Sequence, residues 1–252
     1  MWDNPRLLNL SANALFALAL VLAAYGTGRV LFESPAFPLR SIRIVGDIQH
    51  ATRAQFIDAL QGRVRGTFFT VDLESLRVLF EGVAWVRRAD VRRLWPDKLE
   101  VRIEEQVPLA RWGQSAEARL VNTYGEVFPG RSDSALPLFS GPTGSEGEVT
   151  RRYAAFRGLL QPLALEPQQV LLSPRLAWQL KLSNGLMVQL GRDSDKDRVD
   201  DRLAKFVSVY PQTLGNSGHR FDYVDLRYPN GFALRVPENR NSDSPKTARK
   251  RV

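Results

Sequence analysis

The sequence contains no cysteine among its 252 residues and only two histidines, His50 and His219, which lie far apart in the chain. The lack of cysteine excludes a disulfide framework, a thiolate metal site and a cysteine nucleophile. Two isolated histidines also argue against a histidine-rich zinc site and against a histidine-based catalytic triad. An enzyme with this composition would need an unusual set of catalytic groups, and we expect no cofactor, no metal site and no small-molecule substrate.

Motifs of nucleotide binding and of hydrolysis are missing as well. The chain has no P-loop and no G-x-S-x-G nucleophile elbow. Glu104 and Glu105 are adjacent at the end of a predicted strand, where neighbouring side chains point to opposite faces, so they cannot serve together as an acid–base pair. We expect both carboxylates to be solvated.

Positive charge is in moderate excess. The chain has 35 Lys and Arg against 27 Asp and Glu, which gives a formal net charge of +8. Four arginines between positions 87 and 93 are flanked by Trp85 and Trp95, a mixture that also occurs in nucleic-acid-binding proteins. The same residues fit the polar face of a strand pair next to a membrane anchor. We favour this second interpretation and expect no nucleic-acid partner.

One long apolar run lies near the N-terminus. No residue from Leu7 to Gly28 is charged, and a helix over these 22 residues would be about 33 Å long, enough to cross a hydrocarbon core of about 30 Å. We predict a transmembrane helix at residues 7–32, preceded by a short N-terminal segment at residues 1–6. A cleaved signal peptide is the alternative, although the run is long for one. The arginines that follow the run do not by themselves place the N-terminus in the cytoplasm.

The region from residue 36 to residue 107 has the pattern of a small α+β domain. The β-branched run Ser41–Val45 predicts a strand, and the capping box Thr52–Gln55 then opens a helix. Apolar residues at helical spacing predict a second helix that ends at Gly82. Two strands around a turn at Pro96-Asp97 complete the predicted order β-α-α-β-β.

The region from residue 108 to residue 236 is predicted to be a mixed β domain with two helices. Its first predicted strand is Arg119–Asn122, and a turn at Gly125 leads to a second strand at Val127-Phe128. The helices have apolar faces within the ranges 149–163 and 199–210. Asn184-Gly185, between two alternating segments, predicts a hairpin with a type I′ turn.

A second antiparallel hairpin is predicted to close this domain. Val224, Leu226 and Tyr228 alternate before Pro229-Asn230-Gly231, and a second alternating segment follows that turn. The remaining residues 237–252 are polar and basic, and we expect them to be a disordered tail.

Several short segments together resemble a known family. In chain order they are Ile42–Gly46, Phe68–Asp72, Trp85-Val86, Arg93–Asp97, Glu105–Trp112, Gly191-Arg192, Arg202–Phe206 and Tyr223–Tyr228. Preceded by a single N-terminal anchor, they resemble the FtsQ/DivIB family of bacterial cell-division proteins. The combination is far more specific than any one segment, and it covers the chain from the anchor to about Val236.

The resemblance implies an α+β fold in which a POTRA domain at residues 36–107 precedes an FtsQ-type β domain at residues 108–236. It also implies a single-pass protein of the bacterial inner membrane at the division septum, with its N-terminus in the cytoplasm and both domains in the periplasm. The implied role is an essential, non-catalytic divisome scaffold that links early and late division proteins for septum assembly. The implied partners are FtsB and FtsL, with other divisome proteins bound through the POTRA domain.

By the same resemblance, the β domain binds FtsB by strand addition at its last strand. The motif match assigns the contacts to the closing hairpin and to two arginines that face an acidic partner segment. These residues are Arg192, Arg227, Tyr228, Asn230, Gly231 and Phe232. In the alternative interpretation, Tyr228 and Phe232 only pack the face of the hairpin. Pro229 lacks an N–H donor and therefore limits which edge can accept a strand.

Two other functions stay open at this point. A POTRA-bearing protein-translocation factor would carry tandem POTRA repeats or a barrel of alternating strands, and the sequence shows neither. A membrane-tethered periplasmic cell-wall hydrolase would need a nucleophile and a base within hydrogen-bond reach, and the sequence offers no candidate set.

Overall fold

The computed structural model describes residues 5–33, 37–113, 119–194, 197–215, 221–228 and 231–235. The chain divides into two compact units, Met1–Gln106 and Val107–Val252. The first four residues and the predicted tail 237–252 lie outside the described residues.

The first unit begins with the helix α1, Pro5–Glu33, which contains the predicted apolar run. In the described part of the chain, one helix is long and apolar enough to cross a membrane, at Asn9–Arg29, and none of that stretch is buried by protein. Large apolar side chains such as Leu15 and Phe16 are exposed along it. This arrangement fits a transmembrane helix, because lipid and not protein would cover these side chains.

The rest of the first unit is a three-stranded sheet with two helices. Its elements are β1 (Ser41–Val45), α2 (Arg53–Leu60), α3 (Leu73–Glu81), β2 (Val86–Leu94) and β3 (Lys98–Glu105). The strand order is β1-β3-β2, with β1 parallel and β2 antiparallel to β3. The predicted order β-α-α-β-β is confirmed.

Local sequence explains where these two helices begin. The Thr52 side chain accepts a hydrogen bond from the Gln55 N–H, and the Gln55 side chain accepts one from the Thr52 N–H, so the predicted capping box is present. Asp72 caps α3 in a similar way through the N–H groups of Glu74 and Ser75. The helices then bury Phe56 and Phe80 against the sheet.

The second unit is a larger β domain. Its strands are β4 (Pro108–Trp112), β5 (Arg119–Asn122), β6 (Val127–Pro129), β7 (Leu138–Ser140), β8 (Pro167–Leu172), β9 (Ala177–Leu182), β10 (Met187–Arg192), β11 (Tyr223–Asp225) and β12 (Ala233–Arg235). Its helices are α4 (Glu146–Leu160) and α5 (Val199–Tyr210), followed respectively by the 3₁₀ turn Gln161–Leu163 and the π-helical turn Pro211–Gly215. Both predicted helices are confirmed.

Within the described residues, these strands form one nine-stranded sheet in the order β12-β11-β10-β9-β8-β7-β4-β5-β6. The pairs β4–β7, β7–β8 and β10–β11 are parallel, and the other neighbours are antiparallel. Helix α4 packs on β8, α5 packs on β10, and the two helices contact each other. Their predicted apolar faces form the core with the sheet, in which Phe156 and Phe206 are buried.

Three strands, β4, β7 and β8, have no counterpart among the predicted elements. β7 has only three residues, and β4 and β8 each begin with a proline. A short or proline-led segment has too little alternation to be recognised. These segments become strands because β7 lies between the other two and pairs with both of them.

The predicted type I′ turn at Asn184-Gly185 is wrong. The Leu182 N–H donates to the Leu186 carbonyl at 2.9 Å, which leaves the three-residue loop 183–185. A type I′ turn needs positive φ at both central residues, but only Gly185, at +89°, has it. The loop is thus the three-residue hairpin type, in which a glycine takes the left-handed position.

The closing hairpin is antiparallel as predicted, but its ladder is shorter than the alternation suggested. Tyr223 lies opposite Arg235, and the pairing ends where Asp225 meets Ala233. Beyond this point the Asp225 carboxylate accepts the N–H of Arg227 at 3.1 Å. Such local side-chain bonds compete with a strand ladder, so Tyr228 lies beyond β11 and not within it.

The expectation that Glu105 is solvated is also wrong. Its side chain is only 8% exposed. Its carboxylate accepts the backbone N–H groups of Gln49, His50 and Ala51 at 2.9, 2.9 and 2.6 Å. Glu104, in contrast, has a side chain that is 46% exposed and pairs with Arg87. The sequence pattern assigned opposite faces to the two residues, but it did not show that a loop covers one face.

Candidate partner-binding site

The predicted binding strand, β12, lies at one end of the nine-stranded sheet. All three of its residues are exposed, and Leu234 is 39% exposed. On its inner side β12 pairs with β11, and the Arg235 guanidinium lies 5.2 Å from the ring centre of Tyr223. Its outer side pairs with no strand in the part of the chain that the structure describes. An edge of this kind presents backbone groups that another strand can use.

A cavity of about 360 Å³ opens beside the chain that leads into β12. Its floor is apolar, with Phe206 of α5 and Leu226 both buried. Lys205 and Arg202 give it basic groups, and the full lining is Asp197, Arg202, Lys205, Phe206, Val209, Leu226, Tyr228, Gly231 and Phe232. The site therefore combines a strand edge with a neighbouring apolar pocket.

The two predicted aromatic contacts have different surroundings. The ring of Phe232 packs edge-to-face on Phe206, with centroids 6.1 Å apart, and is partly buried in the core. Tyr228 is 58% exposed. Packing against the core therefore accounts for the partial burial of Phe232, whereas most of the Tyr228 side chain remains accessible at the rim of the cavity.

Arg227 is held by a buried carboxylate. Its Nε lies 2.8 Å from Oδ1 of Asp225 and its Nη2 lies 2.5 Å from Oδ2, a bidentate pair. The side chain of Asp225 is 7% exposed and that of Arg227 is 56% exposed. The hydrogen bond from Arg227 holds the pKa of Asp225 below its ordinary value against the opposing effect of burial. Arg227 is thus fixed in place, with about half of its side chain exposed.

A glycine in β10 makes room for this arrangement. The pairing of β10 with β9 is irregular between Gln189 and Gly191, and Gly191 has a φ of +78°. A Cβ at this position would lie 2.8 Å from Cγ of Arg227 and 3.2 Å from Nη1 of Arg202. Glycine suits position 191 for two reasons: the backbone there is left-handed, and the side chains of two arginines come too close to leave room for a Cβ.

Arg202 joins α5 to the end of β10. Its Nη1 donates to the carbonyl of Leu190, and its Nη2 donates to the carbonyl of Arg192 at 2.9 Å. Its Nε donates to Oδ2 of Asp197 at 2.7 Å, and its side chain is only 11% exposed. This residue positions the site, since it fixes the backbone that carries Arg192.

Arg192 is exposed, and its guanidinium forms no ion pair with any residue that the structure describes. Tyr228, Gly231 and Phe232 line the cavity, whereas Arg192 and Arg227 do not. Arg192 is connected to the cavity through its carbonyl, which accepts a hydrogen bond from the lining residue Arg202, and Arg227 lies against Gly191. The sixth predicted contact, Asn230, lies outside the described residues, as does Pro229.

Four residues of α5 were not among the predicted contacts, although they line the cavity: Arg202, Lys205, Phe206 and Val209. The segment Arg202–Phe206 was one of the family-like segments, but it is far from the closing hairpin in sequence. The amphipathic pattern of α5 indicated a buried face, and only the packing of α5 on the sheet shows that one edge of this face reaches the cavity.

No group of three or more His, Asp or Glu that could hold a metal ion occurs within the described ranges. The candidate site consists of a strand edge, an apolar pocket and basic side chains.

Comparison with known proteins identifies both units. The family model "Cell division protein FtsQ/DivIB, C-terminal" matches residues 110–227, and the model "POTRA domain, FtsQ-type" matches residues 37–106. A "Cell division protein FtsQ" from Burkholderia pseudomallei is 46% identical over 239 residues, which cover 94% of each chain. The FtsQ protein of Nitrosospira multiformis is 43% identical over 93% of this chain and 99% of that protein. The FtsQ protein of Bordetella pertussis is 37% identical over the full length of both.

Proposed function

Because the chain belongs to the FtsQ/DivIB family of cell division proteins, we propose that it is a non-catalytic membrane scaffold of the divisome that binds FtsB, together with FtsL, on the outer edge of β12. In this proposal α1 anchors the chain in the inner membrane at the septum, with the N-terminus in the cytoplasm. The POTRA unit contacts further division proteins, and the scaffold connects early and late components of the septum machinery.

The observation that carries the proposal is the outer edge of β12, which pairs with no strand among the described residues and lies beside a pocket. An added strand would gain backbone hydrogen bonds along β12, and every second side chain would face the pocket side of the sheet. Phe206 and Leu226 provide an apolar surface for one such side chain. This combination supplies both affinity and selectivity, which a bare edge alone does not.

Charge at the site favours an acidic partner segment. Arg192 is exposed and Arg227 is half exposed, and Lys205 lines the cavity. Arginine suits a carboxylate because its planar fork can make two parallel hydrogen bonds. Since the fork of Arg227 is already used by Asp225, we assign the direct carboxylate contact to Arg192 and a steering role to the charge of Arg227.

The test is a calorimetric titration of the full chain in nanodiscs with the periplasmic segment of FtsB. We expect saturable binding that Tyr228→Ala and Arg192→Glu each weaken by roughly tenfold, the size of a typical central contact. The matched controls are Tyr124→Ala and Arg131→Glu. Tyr124 is 61% exposed, Arg131 is exposed, and both lie near β6 at the opposite end of the sheet, so neither control should change the affinity.

A pair of prolines tests strand addition itself. In an edge strand of an antiparallel pair, successive N–H groups alternate between the inner partner and the outside. We therefore expect one of Ala233→Pro and Leu234→Pro to abolish binding with little loss of stability, and the other to loosen β12 from β11. If neither proline variant affects binding by the folded chain, FtsB does not add a strand here. If the folded wild-type chain does not bind FtsB at all, the proposed partner is wrong.

A further inference from the structure

One end of the POTRA sheet is fastened to the segment that follows α1. The Arg40 N–H donates to the carbonyl of Asp97 at 2.9 Å, and the Phe68 N–H donates to the carbonyl of Phe37 at 3.0 Å. The Nε of Arg93 donates to the carbonyl of Phe68 at 2.8 Å. We call this end the tip; it consists of residues 37–40, 68–69 and 93–98.

Chain length keeps the tip close to a bilayer that α1 crosses. Helix α1 has 29 residues and is about 44 Å long, comparable to a bilayer of about 40–45 Å with its headgroups. From Glu33, the last residue of α1, Phe37 is four residues away and Arg40 is seven. An extended chain spans at most about 3.6 Å per residue, so these residues lie within about 14 and 25 Å of the end of α1.

The tip presents aromatic side chains to its surroundings. Trp95 is 78% exposed, and no other large apolar side chain that the structure describes is more exposed. Phe37 is 39% exposed and packs edge-to-face on Phe69. At the opposite end of the same sheet, Trp85 is instead covered by the stacked ring of His50. Tryptophan favours the membrane interface, where its ring meets apolar chains and its N–H meets water.

The tip also carries positive charge. Lys98 is exposed, and it pairs with no carboxylate in the described segments. The bonds of Arg93 go to the backbone carbonyls of Phe68, Phe69 and Val71, so its charge is not neutralised by an acid within those segments. Arg40 has a side chain that is 73% exposed and lies 3.5 Å from Asp97. Clustered basic residues next to a membrane helix attract anionic lipid headgroups.

We propose that the tip docks on anionic phospholipid headgroups of the bilayer that α1 crosses, with Trp95 at the interface and Lys98 and Arg40 on lipid phosphates. The proposal rests on the membrane anchoring that is part of the proposed function. Docking at the tip restricts how far the POTRA unit can swing about the segment after α1. It gives the exposed Trp95 and the basic side chains of the tip a common role that neither core packing nor the β12 site provides.

The absence of cysteine allows a direct test in the full chain. We place a single fluorescent label at Ser41→Cys, beside the tip, or at Asp47→Cys, beyond the other end of β1; both residues are exposed. Each labelled chain is reconstituted in nanodiscs of phosphatidylcholine, with or without phosphatidylglycerol, that contain a lipid with a nitroxide quencher on its headgroup. Trp95→Ser and Lys98→Glu are then combined with the label at position 41.

We expect phosphatidylglycerol to raise quenching at position 41 by about twofold or more, with little change at position 47. Trp95→Ser, Lys98→Glu and about 1 M salt, where the Debye length is about 3 Å, should each remove most of the increase. Circular dichroism checks that the variants stay folded, as the exposure of both side chains leads us to expect.

Two other outcomes separate the possible failures. If the chain does not enter nanodiscs, the anchoring is wrong and the lipid contact fails with it. If the chain enters but quenching at position 41 is unchanged by phosphatidylglycerol, by Trp95→Ser and by Lys98→Glu, the lipid contact alone is overturned. The tip would then be a surface for a protein partner.

Discussion

Each of the two units buries a carboxylate beside its sheet, but the two carboxylates are satisfied by different groups. Glu105 of the POTRA unit accepts three backbone N–H groups from residues 49–51. Asp225 of the β domain accepts the guanidinium of Arg227. Their side chains are similarly inaccessible, at 8% and 7% exposure.

The difference shows that a buried carboxylate can either stabilise a loop or position an exposed arginine. Burial is the largest influence on Glu105 and raises its pKa, but the hydrogen bonds from Gln49, Ala51 and His50 together bring the pKa below the ordinary value. That carboxylate locks a loop onto the end of β3. Asp225 instead holds a half-exposed arginine next to the candidate site. We therefore expect changes at Glu105 to affect folding, and changes around Asp225 to affect binding as well.

The largest effect is expected for Glu105→Ala. Three backbone donors would lose their acceptor, and the free energy of unfolding of the POTRA unit should fall by about 3 kcal/mol, near 1 kcal/mol for each hydrogen bond. The control is Glu104→Ala, at an exposed neighbour whose pair with Arg87 is worth at most about 1 kcal/mol. Thermal unfolding by circular dichroism measures both, and hydrogen exchange at residues 49–51 locates the effect. Equal losses in the two variants would contradict the assigned role of Glu105.

Gly191→Ala is expected to have the next largest effect. The positive φ disfavours alanine, and the added Cβ would meet Arg227, so we expect a loss of about 2 kcal/mol from the stability of the β domain. Gly144→Ala is the control, because Gly144 has a φ of +87° but open space around it. It should cost only about 1 kcal/mol, the strain of the backbone alone. Gly191→Ala should also weaken FtsB binding in the titration above, and Gly144→Ala should not.

Arg227→Lys keeps the charge but removes the fork. We expect a loss of about 1 kcal/mol in the unfolding free energy of the β domain, because the guanidinium is half exposed and solvent screens much of the interaction. The corresponding control is Arg157→Lys, since Arg157 is similarly exposed and lies 3.4 Å from Glu166. It should change stability by less than about 0.5 kcal/mol. A larger loss for the control would show that the Asp225 pair has no special strength.

The smallest effect is the pH dependence of stability. Both carboxyl groups have folded-state pKa values below their ordinary values of 4.5 for Glu105 and 3.8 for Asp225. Below these values the unfolded chain binds more protons than the folded chain, so the stability that each group provides is present at neutral pH and is lost as the pH falls. The slope is at most about 1.4 kcal/mol per pH unit for each group. Urea unfolding between pH 6 and 3 measures it, and Glu105→Gln should make the free energy of unfolding of the POTRA unit depend less on pH.

Local patterns predicted much of the fold because they depend on nearest neighbours in the chain. The capping box at Thr52 and the end of α3 at Gly82 appear as predicted. The apolar faces of α4 and α5 are buried as expected. The turn at Gly185 was located correctly but its type was wrong, because the choice between two-residue and three-residue loops depends on the pairing of both strands.

The candidate site could be predicted only in part. Its closing-hairpin residues came from a resemblance to a family, and the pocket wall formed by Lys205 and Phe206 was missed. Those residues lie 18 and 17 positions before Tyr223, the first residue of the hairpin, and nothing in a local pattern connects them to it. The bidentate link between Asp225 and Arg227 is local in sequence, yet its strength depends on the burial of Asp225 in the folded domain.

The sequence by itself determined the apolar anchor, the order of the helices and most strands, and the absence of cysteine chemistry, because composition and periodicity are properties of the chain alone. Tertiary structure decided which strand is the edge of the nine-stranded sheet, which of two adjacent glutamates is buried, and that the turn containing Trp95 and Asp97 is bonded to Arg40. Each of these depends on contacts between residues far apart in the chain. The free energy of such contacts comes from burial and from hydrogen bonds that form only once the distant segments have met.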